Sequence, residues 1–333
     1  MRKLLFILAL TAIIFSGCEK EKSQNLNIAV FVPGIIADSP TYAKLADGVT
    51  KAVEEYNQKA AEEKKAKLSI MEVGTNQAEW MQKLSALAAE GIYDVIISSN
   101  PSLPDLAEQV LEQFPDQKFI LLDAERKGNP NIMTKNYDQA QQGYVTGYIA
   151  GLMSKSHKIA LISAQDYPVM NNIIFPFYKK GAEDAFEGTS VDYRVVGNWY
   201  DATKGAEITE ALAKTGVDVI LPVCGGASQG VLNSARHNDI KIAWFDSNGF
   251  DKAPEVIISS TQNRQEKLAM EVTLEWLQGK TAWGSSQTVG MKEGYIEFVE
   301  DSPVYRQNVP EIIQDKMREL VGKIKSGEIS VEK

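Results

Sequence analysis

Hydrophobic residues along this chain form two alternating kinds of run: short continuous ones, and longer ones with helical spacing. Tyr93-Asp94-Val95-Ile96-Ile97-Ser98-Ser99-Asn100 leads into a helical segment and then into Phe119-Ile120-Leu121-Leu122-Asp123. The same order returns in Val217-Asp218-Val219-Ile220-Leu221-Pro222-Val223-Cys224-Gly225-Gly226, a helical segment, and Ile242-Ala243-Trp244-Phe245-Asp246. Short apolar runs bounded by turn residues suit strands covered on both faces, as in parallel sheets, because neither face meets water. Each unit reads as a buried strand, a polar or Gly-rich turn, a helix, and a second buried strand ending in Asp. Asp94 and Asp218 recur at almost the spacing of Asp123 and Asp246. The pattern predicts two lobes of one architecture. Ligands of open parallel sheets bind outside the carboxyl ends of the strands, so two such ends facing each other would form a cleft.

The remaining segments fit this frame. Residues 27–32 predict the first strand, ended by Pro33-Gly34, and Asp38-Ser39-Pro40 opens a helix with Leu45, Val49, Val53 and Tyr56 on one face. A strand at 67–73, helices at 76–90 and 103–114, and a short strand at 132–134 complete the first half. The helix at 138–154 carries Gly143, Gly147 and Gly151 four apart, which predicts close packing on a sheet. In the second half, strands are expected at 158–163, 191–197, 217–223 and 240–245. Helices are expected at 170–186, interrupted by Pro176, and at 202–215 and 228–237. Beyond Asp246 come a strand at 256–260, a helix at 264–278, a strand pair at 287–291 and 296–299, and a last helix at 310–326. These extra elements predict several crossovers, a multi-strand hinge able to close about a ligand. The expected fold class is α/β, two Rossmann-like lobes with parallel sheets. The first lobe is expected to span 27–135 plus 248–285, and the second 136–247 plus 286–333.

The N-terminus changes the picture. Arg2 and Lys3 precede an apolar run at 4–15 and then Ser16-Gly17-Cys18, the order of a secretory signal. The run falls short of the roughly 20 residues that cross a bilayer as a helix. Cysteine directly after small residues resembles a bacterial lipobox, although Phe15 stands where that pattern prefers Leu. The resemblance implies a signal peptide at 1–17, acylation of Cys18, and a tether at 18–26. Cys224 is then left without a disulfide partner and reads as a small core residue. A formal net charge of -9 argues against a nucleic-acid partner, which needs a basic face.

Catalytic motifs are weak. Gly226-Ala227-Ser228-Gln229-Gly230 matches G-x-S-x-G between a strand and a helix. A hydrolase on that pattern needs a later Asp and then a His, and the only histidines are His157 and His237, with none after His237. Neither a dinucleotide fingerprint after the first strand nor a phosphate-binding G-x-x-x-x-G-K-[ST] occurs, and no Cys/His cluster has metal spacing. No cofactor is expected. The chain is expected to bind without catalysing. Strand ends nominate Asp38, Tyr42, Ser99, Asn100 and Asp123 in one lobe, and Asn172 within 165–172, Trp199, Gly225, Gly226 and Asp246 in the other, with Gln262 added. Aromatics supply stacking area and polar groups fix orientation, a mixture suited to a flat heteroaromatic carrying hydroxyls.

Residues from 27 to about 331 resemble the basic membrane lipoprotein (BMP/PnrA-like) family of ABC-transporter substrate-binding proteins. The resemblance rests on Gln142-Gly143-Tyr144-Val145-Thr146-Gly147-Tyr148-Ile149-Ala150-Gly151, on Val196-Gly197-Asn198-Trp199-Tyr200-Asp201 and on Phe245-Asp246-Ser247-Asn248. It implies a type I periplasmic-binding-protein fold, permease and ATPase partners, and a membrane anchor at Cys18. It also implies that Trp199 stacks on a ligand ring, that Asp246 holds ribose hydroxyls, and that Asp123 and Gly225-Gly226 are further cleft positions. The purine-nucleoside binders of the family carry D-x-S-F-N, whereas here Asp38 is followed by Pro40-Thr41-Tyr42. A lysine expected near Ser260 is replaced by Asn263 or its neighbour. The stretches AVFVPGIIADSPTY, NQAEW and SSNPSLPDL are similar to spirochaete riboflavin-binding lipoproteins of the family. The expected ligand is riboflavin, with a purine nucleoside as the runner-up.

Overall fold

The computed structural model describes residues 26–331. The leader and Cys18 lie outside the described residues. The chain runs through β1 (Asn27–Val32), α1 (Pro40–Lys59), β2 (Lys67–Glu72), α2 (Gln77–Ala89), β3 (Val95–Ser99), α3 (Leu103–Gln113), β4 (Phe119–Leu122) and β5 (Ile132–Tyr137). It continues through α4 (Gln139–Met153), β6 (Lys158–Ser163), α5 (Phe175–Ala185), β7 (Ser190–Val195), α6 (Ala202–Lys214), β8 (Val219–Val223), α7 (Ser228–His237), β9 (Lys241–Asp246) and β10 (Ile257–Asn263). It ends with α8 (Gln265–Leu277), β11 (Ser286–Val289), β12 (Ile296–Phe298), α9 (Pro303–Asn308) and α10 (Glu311–Ser326).

Two sheets of six strands result, ordered β2-β1-β3-β4-β5-β11 and β7-β6-β8-β9-β10-β12. Their strand pairs are parallel except β10 with β12. The period-2 geometry of a strand explains why β1 is apolar throughout. Phe31 and Ala29 join a cluster with Trp80 and Leu84 on one face, while Val30 and Val32 join Leu45 and Val49 on the other. Helices must therefore cover both faces. In each sheet the strand order reverses beside the first strand, β1 against β3 and β6 against β8. That reversal opens a crevice at the carboxyl ends.

The structure corrects the expected lobe boundaries. β10 pairs with β9 and so belongs to the second sheet, whereas β11 pairs with β5 and belongs to the first. Beyond its Asp-ended strand the first sheet adds parallel β5 and β11 and the second adds parallel β10 and antiparallel β12, so the repeat does not close at Asp246. The segments expected as a strand pair, 287–291 and 296–299, part instead into different sheets. Helix α8 packs on α1, in the first lobe. The chain thus crosses between lobes after Tyr137, after Asn263 and after Val289. These crossings lie side by side. Asp138 N–H donates to the Val289 carbonyl at 2.9 Å, Arg264 N–H to the Tyr295 carbonyl at 2.8 Å, and Met291 N–H to Gln141 Oε1 at 2.9 Å.

Helix α4 leaves the first crossing. Its glycines face another helix rather than a sheet. A Cβ on Gly147 would lie 1.9 Å from the Tyr178 carbonyl, and one on Gly181 of α5 would lie 2.0 Å from the Tyr144 carbonyl. Pro176 does not interrupt α5, because it sits in the first turn, where no N–H is needed. A single π-helical turn, Met170–Ile174, precedes it.

Candidate functional site

The two Asp-ended strands place their acids alike. Asp123 follows β4 and Asp246 ends β9, with φ of 50° and 65° respectively. Asp tolerates this left-handed conformation better than most L-residues, because its short polar side chain bonds locally. Both side chains reach the first turns of α4. Gln139 Nε2 donates to Asp123 Oδ1 at 3.1 Å, and Gln142 Nε2 donates to Asp246 Oδ1 at 3.2 Å. Asn263, at the second crossing, adds an Nδ2 donor to the same Asp246 oxygen at 3.3 Å. Helix spacing puts Gln139 and Gln142 on one face, so a single helix tethers the acids of both lobes.

Asp123 is half-buried and the side chain of Asp246 is open to solvent, although protein groups crowd around both acids. Burial raises the Asp123 carboxyl to about 6, and the Gln139 donor partly opposes it. Burial and then the charge of Asp123 raise Asp246 to about 7, against the Gln142 donor. Each hydrogen-bond partner of the pair among the described residues is a neutral carboxamide. The carbonyl oxygens of Gln139, Gln142 and Asn263 are buried without a partner among the described residues, consistent with amide groups turned to give their N–H to the acids.

Aromatic residues stand around this pair. Trp199 is half-buried, with its ring centroid 6.3 Å from that of Tyr167 and the planes inclined by 39°. Gly225 and Gly226 seat the aromatics. A Cβ on Gly225 would lie 3.1 Å from the Trp199 ring, and one on Gly226 would lie 3.2 Å from that of Tyr200. Ala227 N–H donates to the Trp199 carbonyl at 3.0 Å and holds the same turn. In the other lobe Tyr42 lies over Gly34, where a Cβ would approach its ring to 2.6 Å. Asn100 Nδ2 donates to the Tyr42 hydroxyl at 3.4 Å. Burial raises the Tyr42 hydroxyl above its usual range, and the charges of Asp123 and Tyr200 push the same way. Tyr42 therefore senses both lobes.

The structure joins Tyr42 to Asn100 by a hydrogen bond and seats Trp199 against Gly225 and Tyr167, while Asp123 and Asp246 share the first turns of α4. Ser99 ends β3 with its Oγ buried and without a partner among the described residues. Asp38 is exposed at the end of a short 3₁₀ turn, Ile36–Asp38, and Asn172 is exposed on the π-helical turn. Gln262 is placed elsewhere. Alternation along β10 sends its Nε2 to Glu297 at 2.9 Å, while Asn263 reaches Asp246. Gln139 was not nominated, whereas Tyr167 lay within the nominated stretch 165–172 and Asn263 was singled out only as standing where a lysine is expected. The Tyr167 hydroxyl is raised by burial and then by the charges of Asp246 and Asp123. Its position in the turn after β6, the counterpart of the turn by which β1 leads to Tyr42, is what placed it in the nominated stretch 165–172. Gln142 was visible only as part of a glycine-spaced helix.

Ser228 is no activated nucleophile here. It is buried, and its Oγ lies 3.3 Å from Cys224 Sγ. His237 Nδ1 is 2.7 Å from the Asn233 carbonyl on its own helix, and His157 stacks on Phe186. Burial lifts the Cys224 thiol to about 11, so it is inert as well.

Two α/β lobes joined by three crossings have the type I periplasmic-binding-protein fold. A solute-binding protein of an ABC transporter system from Aeropyrum pernix K1 superposes with a TM-score of 0.78 at 20% identity, covering 92% of either chain. A transcriptional activator of the comK gene from Bacillus halodurans gives a TM-score of 0.72 at 20% identity, covering 90% of this chain and 97% of that one. Residues 25–333 match the Bmp family, ABC transporter substrate-binding protein PnrA-like, and the chain belongs to it. Basic membrane protein A of Borreliella burgdorferi is 23% identical over 97% of this chain and 94% of its own. The ABC transporter nucleoside-binding protein BmpA of Lactococcus lactis is 22% identical over 72% of this chain and 71% of its own. The chain is thus an ABC-transporter substrate-binding protein for a small molecule.

Proposed function

We propose that this protein captures riboflavin between its lobes and delivers it to an ABC permease driven by an ATPase, while Cys18 anchors it to the outer face of the membrane. Substrate-binding proteins of this kind are ordinarily not enzymes, and the surroundings of Ser228 give no support to catalysis. The observation that carries the reading is the facing of ring and acid. Trp199 stands 6.3 Å from Tyr167, and the hydroxyls of Tyr167 and Tyr42 both feel the charge of Asp123, which supports a ring and an acid facing one ligand. A flat ring would lie against the aromatic faces, and its ribityl hydroxyls would donate to the carboxylates. Closure about the three crossings would then remove both from water.

A purine nucleoside has the same two halves, and the name of the Lactococcus lactis relative favours it as the second reading. The test is optical and calorimetric. Protein purified from its own cells is examined for visible flavin absorption. The same preparation, denatured and refolded to remove any guest, is titrated with riboflavin, adenosine, guanosine and inosine. Quenching of flavin fluorescence at micromolar protein supports riboflavin. Heat of binding from a nucleoside, with no flavin quenching, transfers the conclusion to the second reading.

A further inference from the structure

A cavity of about 240 Å³ lies between α1 and the start of α8, lined by Lys44 and by side chains between Arg264 and Glu271. It is separate from the interlobe site. Lys44 follows Tyr42 by two residues on α1, and helical geometry turns such neighbours about 200° apart, so Lys44 leaves the face that brings Tyr42 to Asn100. The acids of this cavity already have partners: Glu266 accepts from Lys51, and Glu271 accepts from the Tyr295 hydroxyl. The cations are less well matched. Lys267 Nζ donates to the carbonyls of Glu293 at 3.0 Å and Gly294 at 3.4 Å, neither of which cancels its charge. Lys44 has no hydrogen-bond or ion-pair partner among the described residues. Burial and then the positive charge of Arg264 lower its ammonium below the ordinary value, against a weaker pull from Glu266 and Glu297. Neutral donors meet the same space. No side chain caps α8, so the N–H groups of its first turn are open to a ligand. Gln265, only 1% exposed, lines the cavity with an Nε2 group that is buried without a partner among the described residues. Its Oε1 is taken by the Tyr137 hydroxyl at 2.6 Å. A buried amide donor left unpaired is costly, which points to an acceptor supplied from outside the chain.

We propose that this cavity is a second ligand site, for a small oxyanion such as phosphate or a phosphate ester, held by Lys44, Lys267, Gln265 and the first turn of α8. An oxyanion carries several acceptor oxygens and no donor of its own, which matches a set of ammonium, amide and backbone N–H groups. The site bears on the hinge. Arg264 belongs to the second crossing, where its guanidinium pairs at 2.6 Å with Glu297 of β12 in the other lobe, and its N–H donates to the Tyr295 carbonyl at 2.8 Å. Gln265 is joined through Tyr137 to the first crossing. An anion bound here links α1 to the residues of both crossings. The inference stands whichever ligand the interlobe cleft takes.

The full chain is titrated calorimetrically with inorganic phosphate and, separately, with glycerol 3-phosphate, with ionic strength held constant by chloride. Saturable binding of one anion per chain is expected, with a dissociation constant below about 1 mM. At about a hundredfold excess over that constant the melting temperature should rise by a few degrees. Lys44→Met keeps most of the length of the side chain and removes its charge, and should weaken binding about tenfold. Lys179→Met, on α5 beside Glu183, is the control and should leave it unchanged. Thermal melts check that each variant is folded, and Lys267→Gln carries the same comparison if Lys44→Met is not. Saturable binding of either anion that Lys44→Met weakens supports the site, and the tighter of the two tells a free anion from an ester. Absence of saturable binding for both overturns the proposal. Binding that persists unchanged in the folded Lys44 or Lys267 variant overturns it as well. So does an equal loss in Lys179→Met, because the effect is then one of overall charge.

Discussion

Asp123 and Asp246 occupy equivalent positions in two separate sheets, yet one helix holds them. Each sits at positive φ at the end of its strand, and each accepts from a glutamine of α4, Gln139 or Gln142. Because α4 follows directly on the first crossing, the site and the hinge are one mechanical unit. Closure cannot move one lobe without disturbing the amides that orient both acids.

Binding is expected to depend on pH between about 5 and 8. Ligand hydroxyls favour the ionised form of a carboxyl, and in the empty cleft Asp123 and Asp246 take up protons near about 6 and about 7. Affinity should therefore fall as pH is lowered through that window, with protons released on binding near its middle. Calorimetry in two buffers of different ionisation enthalpy reads the release directly. Identical heats in both would contradict it.

Stability of the empty protein should run the other way. Both folded-state values lie above the ordinary carboxyl value, so the native state binds more protons than the unfolded chain between about 4 and 7. The contribution of these groups is fully present below the unfolded value and is lost as pH rises through the folded one. Asp246→Asn should raise the melting temperature of the ligand-free protein at pH 8 by a few degrees while weakening ligand capture. A variant that loses both would mean that the acid serves the fold.

Stacking should be shared unequally among the aromatics. Trp199→Ala removes the largest face and the partner of Tyr167, and is expected to weaken binding at least about tenfold. Tyr167→Phe keeps the ring and loses only the hydroxyl beside the acids, so its effect should be smaller than that of Tyr167→Ala. Fluorescence titration of the three variants gives the order.

Gly147→Ala tests the helix pair. The added Cβ would meet the Tyr178 carbonyl at 1.9 Å, which backbone cannot relieve by rotating a side chain. The cost is expected at about 1–3 kcal/mol in urea denaturation. Gly322, where a Cβ meets open space, serves as the control, and Gly322→Ala in α10 should be neutral or stabilising.

Ser228→Ala should leave ligand affinity unchanged within error, since its hydroxyl faces the Cys224 sulfur inside the protein. Measured ester turnover that vanishes in this variant would overturn the binding-only reading.

Much of this was written locally. Continuous apolar runs can be satisfied only by strands covered on both faces, so 95–99, 119–122 and 219–223 announced parallel sheets without help from the rest of the chain. Turn residues at strand ends nominated Asn100 after 95–99, Asp123 after 119–122, Trp199 after 190–195 and Asp246 at the end of 241–246. The direction of Gln262 and Asn263 was not legible. A register of one residue decides which of two adjacent amides faces the acid, and that register comes from pairing with Trp244 and Asp246 on β9.

The sequence by itself determined the two-lobed α/β plan, the Asp-ended strands and the aromatic turns, because each follows from a local period or a local turn. Only the tertiary structure decided which sheet receives β10 and β11, and that α4 spans the two acids through Gln139 and Gln142. Those outcomes depend on contacts between residues far apart in the chain. Strand pairing and helix docking settle them by burying surfaces whose partners no short window of sequence contains.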